Sequence, residues 1–102
     1  MQKLMIADGS EIYVSVLESA LTGQFDICTC CDGESALATL QSFRPDILVL
    51  DMMLAKRDGI SVLKTVSSME RRPAVLATSG FVTEYVASAA ANLGVQYLML
   101  KP

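Results

Sequence analysis

The sequence predicts an α/β fold: a doubly wound parallel sheet of five strands with helices on both faces. Three observations predict it. Five short runs are mostly apolar, longer stretches with helical spacing alternate with them, and charged or hydroxyl residues stand where four of the runs end. Runs apolar on both faces read as strands covered on both sides. Regular alternation of strand and helix implies right-handed crossovers in one sheet.

The strands are expected at Lys3 to Ala7, Asp26 to Cys31, Ile47 to Leu50, Ala74 to Thr78 and Gln96 to Leu100. The first helix is expected from Ser10 to Leu21, its apolar face formed by Ile12, Val16 and Ala20 with Tyr13 and Leu17. A second helix starts near Gly33 and carries Ala36, Leu37 and Leu40. A third follows Gly59, with Ile60, Val62, Leu63 and Val66. A fourth holds Tyr85, Val86, Ala89, Ala90 and Leu93, with Thr83 as its N-cap and Gly94 as its stop.

A length of 102 residues has room for one small domain. With 52% apolar and 19% charged residues, intrinsic disorder is excluded. The 8 basic and 11 acidic residues give a net charge of -3, so no nucleic-acid partner is expected for this domain alone. No apolar run approaches the roughly 18 residues of a membrane span, and no secretory signal is visible. The three cysteines, Cys28, Cys30 and Cys31, crowd together rather than forming a disulfide framework, so a reducing cytoplasm is the expected compartment. They and the six methionines read as core packing, Cys28 and Cys30 on one strand face and Cys31 on the other. With no histidine and no fourth cysteine, a tetrahedral zinc site and a Ser-His-Asp mechanism are both excluded. The pairs Lys56-Arg57 and Arg71-Arg72 read as solvated loop residues.

In an open parallel sheet, sites form beyond the carboxyl ends of the strands. Asp8, Asp51, Thr78, Ser79 and Lys101 all fall there. Two carboxylates, a hydroxyl and an ammonium suit phosphoryl chemistry: one carboxylate as nucleophile, a second to help hold Mg²⁺, and a lysine and a hydroxyl for phosphoryl oxygens. The plain alternatives are a turn aspartate for Asp51 and a surface lysine for Lys101. A dinucleotide fold is excluded, since Ala7-Asp8-Gly9-Ser10-Glu11 is not the glycine-rich phosphate turn.

Ile6-Ala7-Asp8, Asp32-Gly33-Glu34-Ser35-Ala36-Leu37, Pro45-Asp46-Ile47-Leu48-Val49-Leu50-Asp51, Asp58-Gly59, Ser79-Gly80, Gly94 and Leu100-Lys101-Pro102 follow in that order. This ordered set resembles the receiver domain of two-component response regulators, from Met1 to Pro102, and within it the sporulation-initiation type. The resemblance implies a flavodoxin-like receiver fold with strand order 2-1-3-4-5. It implies that Asp51 accepts a phosphoryl group from a histidine kinase or phosphotransfer protein. Mg²⁺ would be held by Asp8, Asp51 and the carbonyl of Met53. Lys101 would meet a phosphoryl oxygen, and Ser79 rather than Thr78 would supply the hydroxyl. The Lys101-Pro102 peptide bond would be cis, a state proline makes accessible. Such a domain is a signalling module and not an enzyme. A dehalogenase-type phosphatase would need a second aspartate where Met53 stands.

The chain departs from this family in four places. Gly9 stands where a second acid is usual, so weak Mg²⁺ binding and slow phosphorylation are expected. Leu54-Ala55 replaces a common Met-Pro, implying a less rigid loop. Leu98 takes the place of the switching aromatic, with Tyr97 on the opposite strand face. Gly9 and Leu98 open an alternative, a degenerate pseudo-receiver that binds partners without phosphorylation. Finally, the family's fifth helix would follow Pro102. Without it, apolar surface is expected over the fourth and fifth strands, with self-association through that face. A longer regulator with a C-terminal effector domain for transcription is the expected context.

Overall fold

Each helix begins on the cap its sequence supplies. The elements of the computed structural model, which describes residues 1–56, 58–80 and 83–101, are β1 (Lys3–Ala7), α1 (Glu11–Leu21), β2 (Asp26–Cys30), α2 (Gly33–Phe43), β3 (Ile47–Asp51), α3 (Gly59–Ser67), β4 (Ala74–Ser79), α4 (Glu84–Asn92) and β5 (Tyr97–Leu100). Ser10, Asp32, Asp58 and Thr83 accept the backbone N–H of Tyr13, Ser35, Ser61 and Val86 respectively, satisfying a donor that each helix start leaves without a partner. Gly94 ends the fourth helical segment with a φ of 83°, a conformation glycine adopts without steric cost.

The strands pair in parallel in the order β2-β1-β3-β4-β5, which is the predicted topology. Alternation along β1 splits the core in two. Met5 and Ala7 face a layer with Leu48, Leu50, Val75 and Ala77, packed under Ala36, Leu40, Val62, Leu63 and Val86 of α2, α3 and α4. Leu4 and Ile6 face the other way, with Val49, and are covered by Val14, Leu17 and Leu21 of α1.

Several expectations are corrected. The inward stripe of α1 is Val14, Leu17 and Leu21, whereas Ile12 is 80% and Val16 62% exposed. Both stripes recur at helical spacing, and only the position of the sheet decides between them. The fifth strand is not covered on both sides: Leu98 packs into the core, but Tyr97, Met99 and Leu100 are exposed. Among the described residues no helix lies over that edge as α1 lies over β1. Cys31 lies beyond the end of β2 and is exposed, so it is not a core residue; Cys30 is buried and Cys28 half-buried. Met5 and Met52 fill the core, but Met1, Met53 and Met99 are exposed. Lys56 and Arg71 are solvent-exposed as expected, paired with Asp32 and Asp46, while Arg57 lies outside the described residues.

One glycine is required by close approach. A Cβ on Gly59 would sit 2.5 Å from Met52 Cα and 3.1 Å from the Asp51 carbonyl oxygen. The first turn of α3 therefore lies directly against the end of β3, tied there by Gly59 N–H to the Met52 carbonyl at 3.1 Å. No helix of the described residues is long and apolar enough to cross a membrane.

Candidate functional site at the strand ends

The parallel pairing brings the carboxyl ends of β1, β3, β4 and β5 to one rim, and the backbone just past each end is fastened to its neighbour. Asp8 N–H donates to the Cys30 carbonyl at 3.0 Å, Met52 N–H to the Thr78 carbonyl at 2.8 Å, and Lys101 N–H to the Ser79 carbonyl at 2.7 Å. Asp8, Asp51 and Lys101 are thus placed by sheet register rather than by flexible loops.

Asp8 and Asp51 are only 2% and 8% exposed. Buried carboxylates demand partners, and each has them. Asp8 Oδ1 accepts from Ser10 N–H at 2.8 Å, and Asp51 Oδ1 from Met53 N–H at 2.9 Å. Lys101 Nζ serves both: it lies 2.8 Å from Asp8 Oδ2 and 3.1 Å from Oδ1, the latter aligned as a hydrogen bond, and 3.5 Å from Asp51 Oδ2. Burial pulls the Lys101 pKa down, but the Asp8 hydrogen bond and the Asp51 and Asp8 charges outweigh it and raise the pKa above 10.5. Nζ also rests over the Tyr13 ring, 4.6 Å from its centroid.

Thr78 is paired in register with Asp51, so the two side chains share a sheet face. Its Oγ1 is buried without a hydrogen-bond partner among the described residues. Ser79, fully buried, is the next residue and the last of β4. Met53 is 55% exposed and contributes its N–H to Asp51. Leu54, 7% exposed, anchors the loop in the core, and Gly33 N–H bonds the Ala55 carbonyl at 3.0 Å, so this loop is held without a proline. Tyr97 and Leu98 do point to opposite faces, Tyr97 paired with Leu76 and Leu98 with Ala77. The expected cis bond involves Pro102, which lies outside the described residues.

The donor set fits Mg²⁺. Two carboxylates on one rim, with main-chain carbonyls near, are the hard oxygen ligands that ion takes alongside water. Among the described residues no group of three acidic, cysteine or histidine ligands gathers anywhere, so the site is lean in charge. Gly9 is the reason. It lies between Asp8 and Ser10 without a positive φ, and a Cβ there would meet only the Cys31 carbonyl oxygen, at 3.4 Å. Neither space nor conformation requires glycine.

Sequence reasoning placed Asp8, Asp51 and Lys101 together. It missed Tyr13, assigned to the apolar face of α1, because its role depends on an aromatic–ammonium contact with a residue 88 positions away. It also missed the Lys56–Asp32 pair at 3.4 Å beside the site.

Comparison with known proteins agrees with this geometry. The profile of the response regulator receiver domain matches residues 4–102. The alkaline phosphatase synthesis transcriptional regulatory protein PhoP of Bacillus subtilis is 32% identical over 102 residues, which are 99% of this chain and 42% of that protein. The chain therefore spans under half the length of that relative. Among solved structures, the phosphorylated cyanobacterial phytochrome response regulator RcpA superposes with a TM-score of 0.90 at 25% identity, covering 99% of this chain and 81% of that one. A CheY-like receiver domain protein of Methanospirillum hungatei has a TM-score of 0.94 at 14% identity, covering 100% and 82%.

Proposed function

The chain belongs to the response regulator receiver domain family of two-component signalling, and from that premise we propose that it accepts a phosphoryl group on Asp51. The observation that carries this reading is the convergence of Asp8, Asp51 and Lys101, with Lys101 Nζ reaching both carboxylates. A donor phosphorus is attacked by an Asp51 oxygen, the new O–P bond forms as the donor's own bond to phosphorus breaks, and the leaving group departs with that electron pair. Because Met53 N–H holds Oδ1, Oδ2 is the freer nucleophile. It is also the oxygen facing Lys101, whose ammonium then meets a phosphoryl oxygen. A hydroxyl at the end of β4 meets the same group, Ser79 by the family's spacing or Thr78 by the sheet face it shares with Asp51. Water later hydrolyses the acyl phosphate and regenerates the carboxylate.

Mg²⁺ would be held by Asp8, Asp51 and the Met53 carbonyl; when bound it offsets the charge of the phosphoryl oxygens. The donor is a histidine kinase or phosphotransfer protein, and the readout is control of an effector domain that regulates transcription; the PhoP relative is named a transcriptional regulatory protein. The setting is the cytoplasm. The second reading is a pseudo-receiver, favoured by Gly9 and by Leu98 in the aromatic's place.

Intact mass after treatment with a small acyl phosphate and Mg²⁺ separates the two. A phosphate-sized gain absent in Asp51→Ala supports the phosphoacceptor. No gain at saturating donor and Mg²⁺ moves the assignment to the pseudo-receiver.

A further inference from the structure

Four contacts around the site close into a ring. Asp8 Oδ1 accepts from Ser10 N–H at 2.8 Å, and Ser10 Oγ accepts from Tyr13 N–H at 3.3 Å. The Tyr13 ring then lies under Lys101 Nζ at 4.6 Å, and Nζ donates back to Asp8 Oδ1 at 3.1 Å. The helix cap thus fixes the start of α1 from which the ring projects, and the ring faces Lys101, the one described lysine that contacts Asp8 and Asp51.

We propose that Tyr13 is a positioning residue for Lys101, its aromatic face holding the ammonium within reach of both carboxylates so that it meets the phosphoryl group as that group arrives. This deepens the phosphoacceptor reading and rests on it.

A lysine ammonium on a flexible stem is a poorly fixed charge unless something limits its excursions. Here Asp8 supplies the close contact, whereas Asp51 Oδ2 is at 3.5 Å, a weak one. The only other described group attracting Nζ is the ring. Its negative face favours a cation without forming a directional bond, so it steadies Lys101 while leaving its donors for oxygen. With the Lys101 side chain only 17% exposed, the attraction is less screened than at an open surface. A contact of this size is worth about a 2- to 5-fold change in rate if it is kept in the transition state.

The phenol oxygen has no part in this, so Tyr13→Phe and Tyr13→Leu separate the ring's electrostatics from mere filling of space. In the full chain, the ε-methylene protons of Lys101 in the unmodified protein should resonate upfield of an ordinary lysine, from the ring current. That shift should vanish in Tyr13→Leu and survive in Tyr13→Phe. Phosphorylation by a small acyl phosphate should slow about 2- to 5-fold in Tyr13→Leu and be restored in Tyr13→Phe. Lys101 protons at ordinary positions in the unmodified protein, or a Tyr13→Leu rate equal to that of the unmodified protein, would overturn the proposal. A Tyr13→Phe variant as slow as Tyr13→Leu would overturn it too, by pointing to the hydroxyl. If the unmodified protein takes no phosphoryl group at all, it is the phosphoacceptor reading that fails and Tyr13's part in transfer falls with it, while the ring-current measurement still reports the contact by itself.

Discussion

Lys101 Nζ sits 2.8 Å from Asp8 Oδ2 and 3.5 Å from Asp51 Oδ2, so one ammonium compensates two nearly buried carboxylates. The pair sets a direction for pH dependence. Burial lowers the Lys101 pKa, but the Asp8 hydrogen bond and the carboxylate charges more than reverse this, leaving it above 10.5. A folded pKa above the unfolded one gives stability that is full below the unfolded value and is lost as pH rises through the folded value. The urea midpoint of the unmodified protein should therefore fall more steeply above about pH 10.5 than that of Lys101→Met. Parallel alkaline limbs in the two proteins would show that the ion cluster adds no linked stability.

Gly9 is where the site can be strengthened. A carboxylate there needs no backbone rearrangement, the nearest atom to a new Cβ being the Cys31 carbonyl oxygen at 3.4 Å. One more acid beside Asp8 raises the charge on the hard-oxygen rim, and cation affinity follows ligand charge. Gly9→Asp should bind Mg²⁺ about tenfold more tightly, or better, followed through the Met53 amide resonance. Equal affinities would mean that Asp8, Asp51 and backbone oxygens already satisfy the ion.

Much of this was readable from residues alone, and the limits have physical causes. The rim residues were legible because a short, continuously apolar run that ends abruptly in Asp51 or Lys101 marks the strand end itself. The caps were legible because Thr83 and Gly94 act locally. The inward face of α1 was not, because Ile12-Val16 and Val14-Leu17-Leu21 are both apolar at helical spacing. Only the sheet beneath chooses. Tyr13 was illegible for the same kind of reason, since its partner is brought to it by the crossover of the whole chain.

The hydroxyl divides between two neighbours. Ser79 ends β4 and its carbonyl takes the Lys101 N–H, while Thr78 shares a face with Asp51. We expect Ser79→Ala to slow phosphorylation by about tenfold, the loss of one hydrogen bond to a charged group. Thr78→Val, which keeps shape and removes a buried hydroxyl without a described partner, should leave the rate within about twofold and raise the urea midpoint slightly. The opposite ranking in a rapid-quench series would transfer the role to Thr78.

The edge beyond β4 predicts how the 102-residue chain behaves alone. Tyr97 is 68% and Met99 48% exposed, and both project on the same face as Leu76 of the α1-side core. Val16 of α1, 62% exposed, adds apolar surface on that side of the sheet. Burying it returns roughly 25 cal/mol per Å² of apolar area, and exposed patches of this kind drive association. A second copy of the chain offers the same surface, and a two-fold pairing lets the patch cover itself. Sedimentation should therefore show dimers or larger species as concentration rises. The double change Tyr97→Lys and Met99→Lys should weaken that association by about tenfold or more, since like charges would face each other across the pairing. Far-ultraviolet circular dichroism should stay unchanged, because neither side chain belongs to the packed core. A chain that stays monomeric at millimolar concentration in light scattering would show that this face is not sticky enough to pair.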